Sequence, residues 1–437
     1  MKNNILNTSE IISAILSIVL VVLLFVAVQT NQLFVLLILL LACLYFINKP
    51  VWLIPVYIIS SLSTTYFVAS DGLGISRLIG FIIIFAGLIK LVKGKTQINS
   101  NHFLFLIVIL VYCLFSSLLS ITGSFKAFIS LIQNLFVILI ISTFTRVNIK
   151  LLSKVLVISS FLGIFALRIE LNEVLADTYL TRLTSEGQNE NRFAMMLAQL
   201  ISIVVFGFLV AFKSKTWRFI LLIGLIVGFF MLVLSGSRSA LIGVLGASLI
   251  IIFLYFRKKT YKFIMPVIIL AIGSYFFITY LQDSELSVLA RYSVEDVEKN
   301  GGTGRLNTWQ KLVPVVINNN PIMGYGLGGE NSYKLAQTQG LKQAAHNFLI
   351  DMFIQLGFIG VILLFSYYVF SLKQLFKKLK NNLFLLLPLI LFFTGLLNGV
   401  GETIYIEKHF WNSIALVWLF SNNSRLLFGL NKIKKNL

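Results

Sequence analysis

The chain has 437 residues, of which 58% are hydrophobic and only 12% charged, with a formal net charge of +20. A soluble domain carries roughly 25% charged residues, so the composition excludes an ordinary soluble enzyme and indicates a polytopic membrane protein. It also excludes a nucleic-acid binder, because the basic residues are scattered in short clusters between apolar runs and no segment offers a folded basic surface.

Apolar runs long enough, at about 17–20 residues, to cross a bilayer as helices recur along the chain. Residues 1–167 form an N-terminal block with spans at 11–28, 33–47, 51–68, 75–92, 103–121, 127–144 and 151–167. A polar loop, 168–192, follows. Spans at 193–212, 217–234, 240–256 and 263–281 make a central block, 193–281. A second and larger loop occupies 282–347. The last block, 348–437, has spans at 348–370, 384–397 and 409–423 and a basic tail. The runs at 33–47, 51–68, 384–397 and 409–423 are short or polar, so the fold class is all-α with about 12–14 transmembrane helices. The first span lacks a small-residue cleavage site and reads as an uncleaved helix.

Lys and Arg gather in alternate connections: Lys90/Lys93/Lys95, Arg146/Lys150/Lys154, Lys213/Lys215/Arg218, Arg257 to Lys262, Lys373 to Lys380 and the tail. This is the positive-inside pattern. With fourteen spans it puts both termini in the cytoplasm and the two polar loops outside. The basic loops meet anionic lipid headgroups. Cys43 and Cys113 both lie in apolar spans, so neither a disulfide framework nor a zinc spacing is present. Trp52, Trp217 and Trp411 fall at span ends and read as interfacial anchors.

The loop 282–347 has its own organisation. Ser284 to Lys299 is polar with helical stretches, and Gly301 to Gly304 is a turn. Arg305 to Ile317 has helical periodicity, with Leu306, Trp309, Leu312, Val313 and Val316 on one face. Pro314 should distort this helix and Asn318 to Pro321 should stop it. A tight glycine-rich loop, Gly324 to Gly329, follows. It matches neither nucleotide fingerprint, and close backbone approach to a helix is its favoured role. A second amphipathic piece, Ser332 to Ala345, leads into His346. Such a loop lies on the membrane surface with its apolar faces down.

Three residues carry candidate chemistry. Arg238, in Ser235-Gly236-Ser237-Arg238-Ser239, is either an interfacial arginine snorkelling to headgroups or a fork for a diphosphate. Arg305 opens a helix, where a cation is disfavoured unless an anion joins it; otherwise it is a plain exposed charge. His346 stands where the loop re-enters the membrane, as a helix-start histidine or as a general base, since a histidine near its ordinary pKa of about 6.5 accepts a proton at neutral pH. The serines at 235–239 lack the acid and His order of a nucleophilic triad.

The segments Ser237-Arg238-Ser239-Ala240, Gly304-Arg305-Leu306 with Trp309, Pro321-Ile322-Met323-Gly324-Tyr325-Gly326, and His346-Asn347 followed by Gly357-Phe358-Ile359-Gly360 resemble, in order, the O-antigen polymerase and ligase superfamily. The likeness covers roughly 190–370. It implies a bacterial glycosyltransferase at the outer face of the cytoplasmic membrane, using a glycan on undecaprenyl diphosphate and needing neither nucleotide nor metal. It assigns Arg238 and Arg305 to the diphosphate and His346 to activation of the acceptor hydroxyl. Arg192, Asn347 and Tyr325 become further substrate-binding candidates, Arg192 by a loose match. Membrane lipids and a chain-length regulator are the partners it suggests. A polymerase extending a lipid-linked repeat unit is the first expectation and a ligase to lipid A core or another acceptor the second. A transporter without chemistry would instead want charges inside its spans.

Overall fold

The computed structural model describes residues 8–30, 41, 43–62, 74–94, 96, 98–167, 183–184, 189–257, 305–380, 382–401 and 407–423. Among them the regular structure is helical. In chain order the helices are α1 (Thr8–Thr30), α2 (Ile54–Ser61), α3 (Ile75–Val92), α4 (Ser100–Leu118), α5 (Lys126–Thr143), α6 (Ile149–Ala166), α7 (Glu190–Phe206), α8 (Lys215–Leu234), α9 (Arg238–Phe256), α10 (Arg305–Asn319), α11 (Gly329–Thr338), α12 (Phe348–Leu379), α13 (Leu386–Asn398) and α14 (Lys408–Asn423). Among the described residues nine helices are long and apolar enough to span a bilayer. The spans read at 33–47 and 263–281, and the segment Ser284 to Lys299, lie wholly or largely outside the described residues.

The helices begin where the sequence offers caps. The side chains of Asn99, Asn148 and Ser214 accept from the backbone N–H of His102, Leu151 and Trp217, each three residues on. Hydroxyls inside the bundle turn back on their own helix: Ser142, Thr143, Ser153 and Ser202 donate to carbonyls three or four residues earlier. A hydrocarbon medium forces this economy, since no water is there to satisfy polar groups.

The most enclosed helices are α7, α13 and α14. α7 continues through a π-helical turn to Ala211 and is almost wholly buried from Phe193 onward. α13 and α14 are short but almost wholly buried. α9 packs along α13 at Gly243, where a Cβ would overlap the Asn398 side chain. The outer helices instead expose large apolar residues, among them Ile129, Phe219, Ile226 and Ile362 at 62–64%. Apolar surface this extensive belongs against lipid.

Two of the three tryptophans read as anchors are core residues. Trp411 is buried among Tyr367, Tyr368 and Phe410, and Trp52 is buried beside α1, whose Ser17 donates to its carbonyl. Trp217, half-exposed at the start of α8, stacks on Phe212. A span end on an interior helix faces protein, which is why position along the chain misled.

On one face several basic connections meet: Lys90 lies over the Phe144 ring, near Arg146, and Lys154 over the Phe212 ring, next to Lys213. There Asn423 accepts from the Val147 N–H at 2.8 Å, and Lys378 donates to the Ser421 carbonyl at 2.6 Å. The opposite face collects the α4–α5 turn, the α8–α9 turn, residues 305–347 and the end of α13.

Candidate functional site

The last polar segment before α12 is built as a continuous set of supports. Asn347 caps α12, its Oδ1 accepting from Leu349 and Ile350 N–H at 3.0 and 3.1 Å. Its own N–H donates to Asp351 Oδ2 at 3.3 Å. The other oxygen of the fully buried Asp351 accepts from Ser332 Oγ at 2.6 Å, which ties α11 to α12. His346, immediately before the cap, has φ of +47°, in the left-handed region that a non-glycine residue seldom occupies. The preceding carbonyl, of Ala345, accepts from the Trp309 indole at 2.6 Å. The His346 backbone is therefore fixed on both sides, by α10 through Trp309 and by α12 through its cap.

The spacing between Asn347 and Gly357 is the length of one short helical piece. α12 breaks at Gly357, with φ 61° and ψ −168°, before resuming toward Leu379. The glycine-rich loop fills the break. Tyr325 and Gly326 N–H donate to the Ile354 and Gln355 carbonyls at 2.8 and 3.0 Å, and Phe358 N–H donates to the Pro321 carbonyl at 2.9 Å. Gly324 approaches so closely that a Cβ would lie 2.6 Å from the Gln355 carbonyl carbon. The single unbroken span read at 348–370 is thus two pieces joined at a bound glycine. Such a break is tolerated at membrane depth only when protein pairs the freed backbone groups.

The helical readings of the loop need two adjustments. α10 runs from Arg305 to Asn319 straight through Pro314. Pro314 lies on the exposed side, where water can reach the carbonyl left without its N–H partner. The second piece starts earlier and ends sooner than Ser332 to Ala345: α11 covers Gly329–Thr338 and stops before Gly340, at φ +68°.

Arg238 is the first residue of α9, and α10 is described from Arg305 onward. A helix start is in general favourable for anions. The two motifs converge on residue 401. A Cβ at Gly401 would lie 2.7 Å from Ser239 Oγ and 2.9 Å from Arg305 Nη1. The same turn holds the histidine segment: Phe348 N–H donates to the Gly399 carbonyl at 2.7 Å, and the Asn347 side chain donates to the Val400 carbonyl at 3.2 Å. Residues 399–401 are therefore the piece on which Arg305, the Arg238 motif and the residue after His346 all rest.

Arg192 and Tyr325 are placed differently. Arg192 lies 3.9 Å from Glu407 at the start of α14, with 45% of its side chain exposed. Tyr325 packs its ring with Leu312, Val316, Leu335 and Ile354 in a small apolar cluster beneath the loop, and its carbonyl accepts from Ile121 N–H at 3.3 Å. Asn347, a further candidate, is occupied as a cap.

Gly399 to Gly401 and the Asp351–Ser332 pair had not been singled out from the sequence. Asp351 did carry a signal, as an acid inside an apolar run, where ionisable residues are expensive and have a reason to be there. The glycines at 399 and 401 carried only the ordinary look of a span end.

Residues 223–365 match the family model described as O-antigen ligase, consistent with the O-antigen polymerase and ligase superfamily. The matched region contains Arg238, Arg305 and His346 and ends beyond the break at Gly357. Among curated proteins, none matches the chain.

Proposed function

We propose that this protein is a polysaccharide polymerase, a glycosyltransferase that moves a growing glycan from undecaprenyl diphosphate to the non-reducing end of a lipid-linked repeat unit. The observation that carries this reading is the convergence of the Arg305 side chain, the Arg238 motif and the His346–Asn347 segment on residues 399–401, in a chain whose residues 223–365 match the O-antigen ligase family model. Breaking the sugar–diphosphate bond puts charge on the departing diphosphate. Arg238, at the start of α9, and Arg305, in α10, stabilise that charge. His346 takes the proton from the attacking hydroxyl as the new bond forms. Direct displacement by that hydroxyl inverts the anomeric carbon. Holding both lipid-anchored reactants in one place supplies much of the remaining acceleration. The activated donor needs no ATP. The positive-inside pattern supports a site that faces the exterior of the bacterial cytoplasmic membrane.

A second reading is a ligase that transfers the same donor to lipid A core or another acceptor. The description of the matching family favours it. Both readings use the same residues in the same roles.

The test is an in vitro reaction with purified protein and a lipid-diphosphate-linked repeat unit, comparing wild type with His346→Asn. A ladder of added repeats in the wild type, lost in the variant, supports the polymerase. Transfer only after a lipid A core acceptor is supplied moves the assignment to ligase. A ladder that survives in the variant removes His346 from the proton transfer.

A further inference from the structure

A second feature of the same face is a cavity between the α4–α5 turn and the start of α11. Its enclosed volume is about 70 Å³, or about 250 Å³ counted with the open space at its mouth, and its walls are Thr122, Ser124, Ala127, Leu327 and the residues from Gly328 to Asn331. The space takes at most one ring of a larger molecule and is too small for an oligosaccharide.

The walls are held in place before any ligand arrives. Asn331 is fully buried and uses its whole amide: Nδ2 donates to the Gly326 and Leu327 carbonyls at 3.0 and 3.1 Å. Its Oδ1 accepts from Ser120 Oγ, Thr122 N–H and Thr122 Oγ1 at 2.9, 3.0 and 2.9 Å. One side chain thereby locks the α4–α5 turn to the glycine-rich loop. Lys334 reinforces the closure by donating to the Ile121 carbonyl at 2.6 Å.

The polar groups around the cavity are of both kinds. The Ser124 hydroxyl can give and accept, the Glu330 carboxylate accepts, and the N–H groups of Gly329 and Glu330 can donate, the N-cap Gly328 having no side chain to cover them, while that of Asn331 is taken by the Gly328 carbonyl at 3.0 Å. Ala127 and Leu327 supply apolar wall. Neighbouring sugar hydroxyls, each donor and acceptor at once, and a C–H ring face suit this mixture. A phosphate does not, because Glu330 would oppose it.

We propose that this cavity is a carbohydrate subsite that holds one neutral sugar ring of the lipid-linked glycan during transfer. The proposal rests on the glycosyltransferase reading. It adds a place where the enzyme reads the glycan itself, apart from the arginines assigned to the diphosphate. The connection to the reacting end runs through α11. Asn331 shapes the cavity, and its neighbour Ser332 holds Asp351, which supports Asn347 beside His346. Along this chain of bonds the cavity wall is within about 20 Å of His346, a reach of a few sugar rings.

The test uses full-length protein in nanodiscs, with Ser124→Trp to fill the cavity and Glu330→Gln to remove its acceptor charge. With the lipid-linked repeat unit extracted from the cell of origin, each variant should raise KM about tenfold and leave kcat nearly unchanged. Affinity for undecaprenyl diphosphate without sugar, read by native mass spectrometry, should stay at the wild-type value. An unchanged KM in both variants overturns the subsite. Equal weakening toward the sugar-free diphosphate also overturns it, because the effect is then structural. Should wild type catalyse no transfer, the glycosyltransferase reading fails separately. Binding of the released oligosaccharide by saturation-transfer NMR then decides the subsite: signal lost in both variants supports it, and signal retained overturns it.

Discussion

The guanidinium of Arg305 lies where a side chain at residue 401 would be: a Cβ on Gly401 would stand 2.9 Å from Arg305 Nη1. The same Cβ would stand 2.7 Å from Ser239 Cβ and Oγ, so a single glycine sets how closely α10 and α9 approach. Residue 401 is not among the glycines with positive φ, so Gly401→Ala tests space alone and not backbone freedom. Overpacking of this kind costs about 1–3 kcal/mol. If the displacement falls on the arginine, the corresponding loss in transfer rate is about tenfold or more. The check is the rate of repeat addition per unit of membrane protein; full rate at normal abundance would detach Gly401 from the site.

Arg305→Lys keeps the charge and loses the planar fork that spans two phosphate oxygens. Transfer should fall by at least about tenfold, the equivalent of losing one charge-assisted hydrogen bond. Protein abundance should hold, because Arg305 is only partly buried. An equally active lysine variant would make Arg305 a surface charge.

His346 sits at φ +47°, so the choice of replacement decides what a mutant reports. Asparagine adopts this conformation more readily than alanine and offers no base at neutral pH. His346→Asn should therefore match wild type in abundance and thermal stability while losing transfer. His346→Ala should lose transfer and also melt slightly lower, by an amount worth about 1 kcal/mol. Melting curves in detergent, run beside the ladder assay, separate the two effects.

Asp351→Ala removes the acceptor that Ser332 Oγ and Asn347 N–H share. Leaving the buried Ser332 hydroxyl unmet costs about 1–3 kcal/mol, and the half-buried Asn347 N–H adds less. The break between α11 and α12 should show as faster hydrogen exchange at residues 329–338. Unaltered exchange there would mean that the apolar contacts of α11 suffice.

Gly357→Ala and Gly329→Ala should behave as opposites. At 357 the positive φ and the Ile322 carbonyl, which a Cβ would strike, both forbid a side chain. Loss of most protein from the membrane is expected. At 329 a Cβ would meet nothing within 4 Å, and alanine favours a helix over glycine by up to about 1 kcal/mol. Abundance and melting temperature should be equal to wild type or slightly higher. Equal tolerance at the two positions would contradict the bound break in α12.

The sequence by itself determined the class of molecule. Long apolar runs admit only helices in a bilayer, and the alternation of basic connections divides their ends into two faces. It also located the charged and titratable residues, because Arg238, Arg305 and His346 stand out where polar chemistry is scarce. The helical periodicity read from Arg305 onward also anticipated α10. Only the tertiary structure decided which of these residues meet. Gly401 is 96 positions from Arg305 and 162 from Ser239, and an ordinary glycine at a span end gives no local sign of either neighbour. The break at Gly357 was equally hidden, since hydropathy is blind to φ and reads two helical pieces as one span. Trp411 and Trp52 were misplaced for the same reason: periodicity tells which residues are apolar, but whether an apolar helix faces lipid or other helices depends on packing between distant parts of the chain.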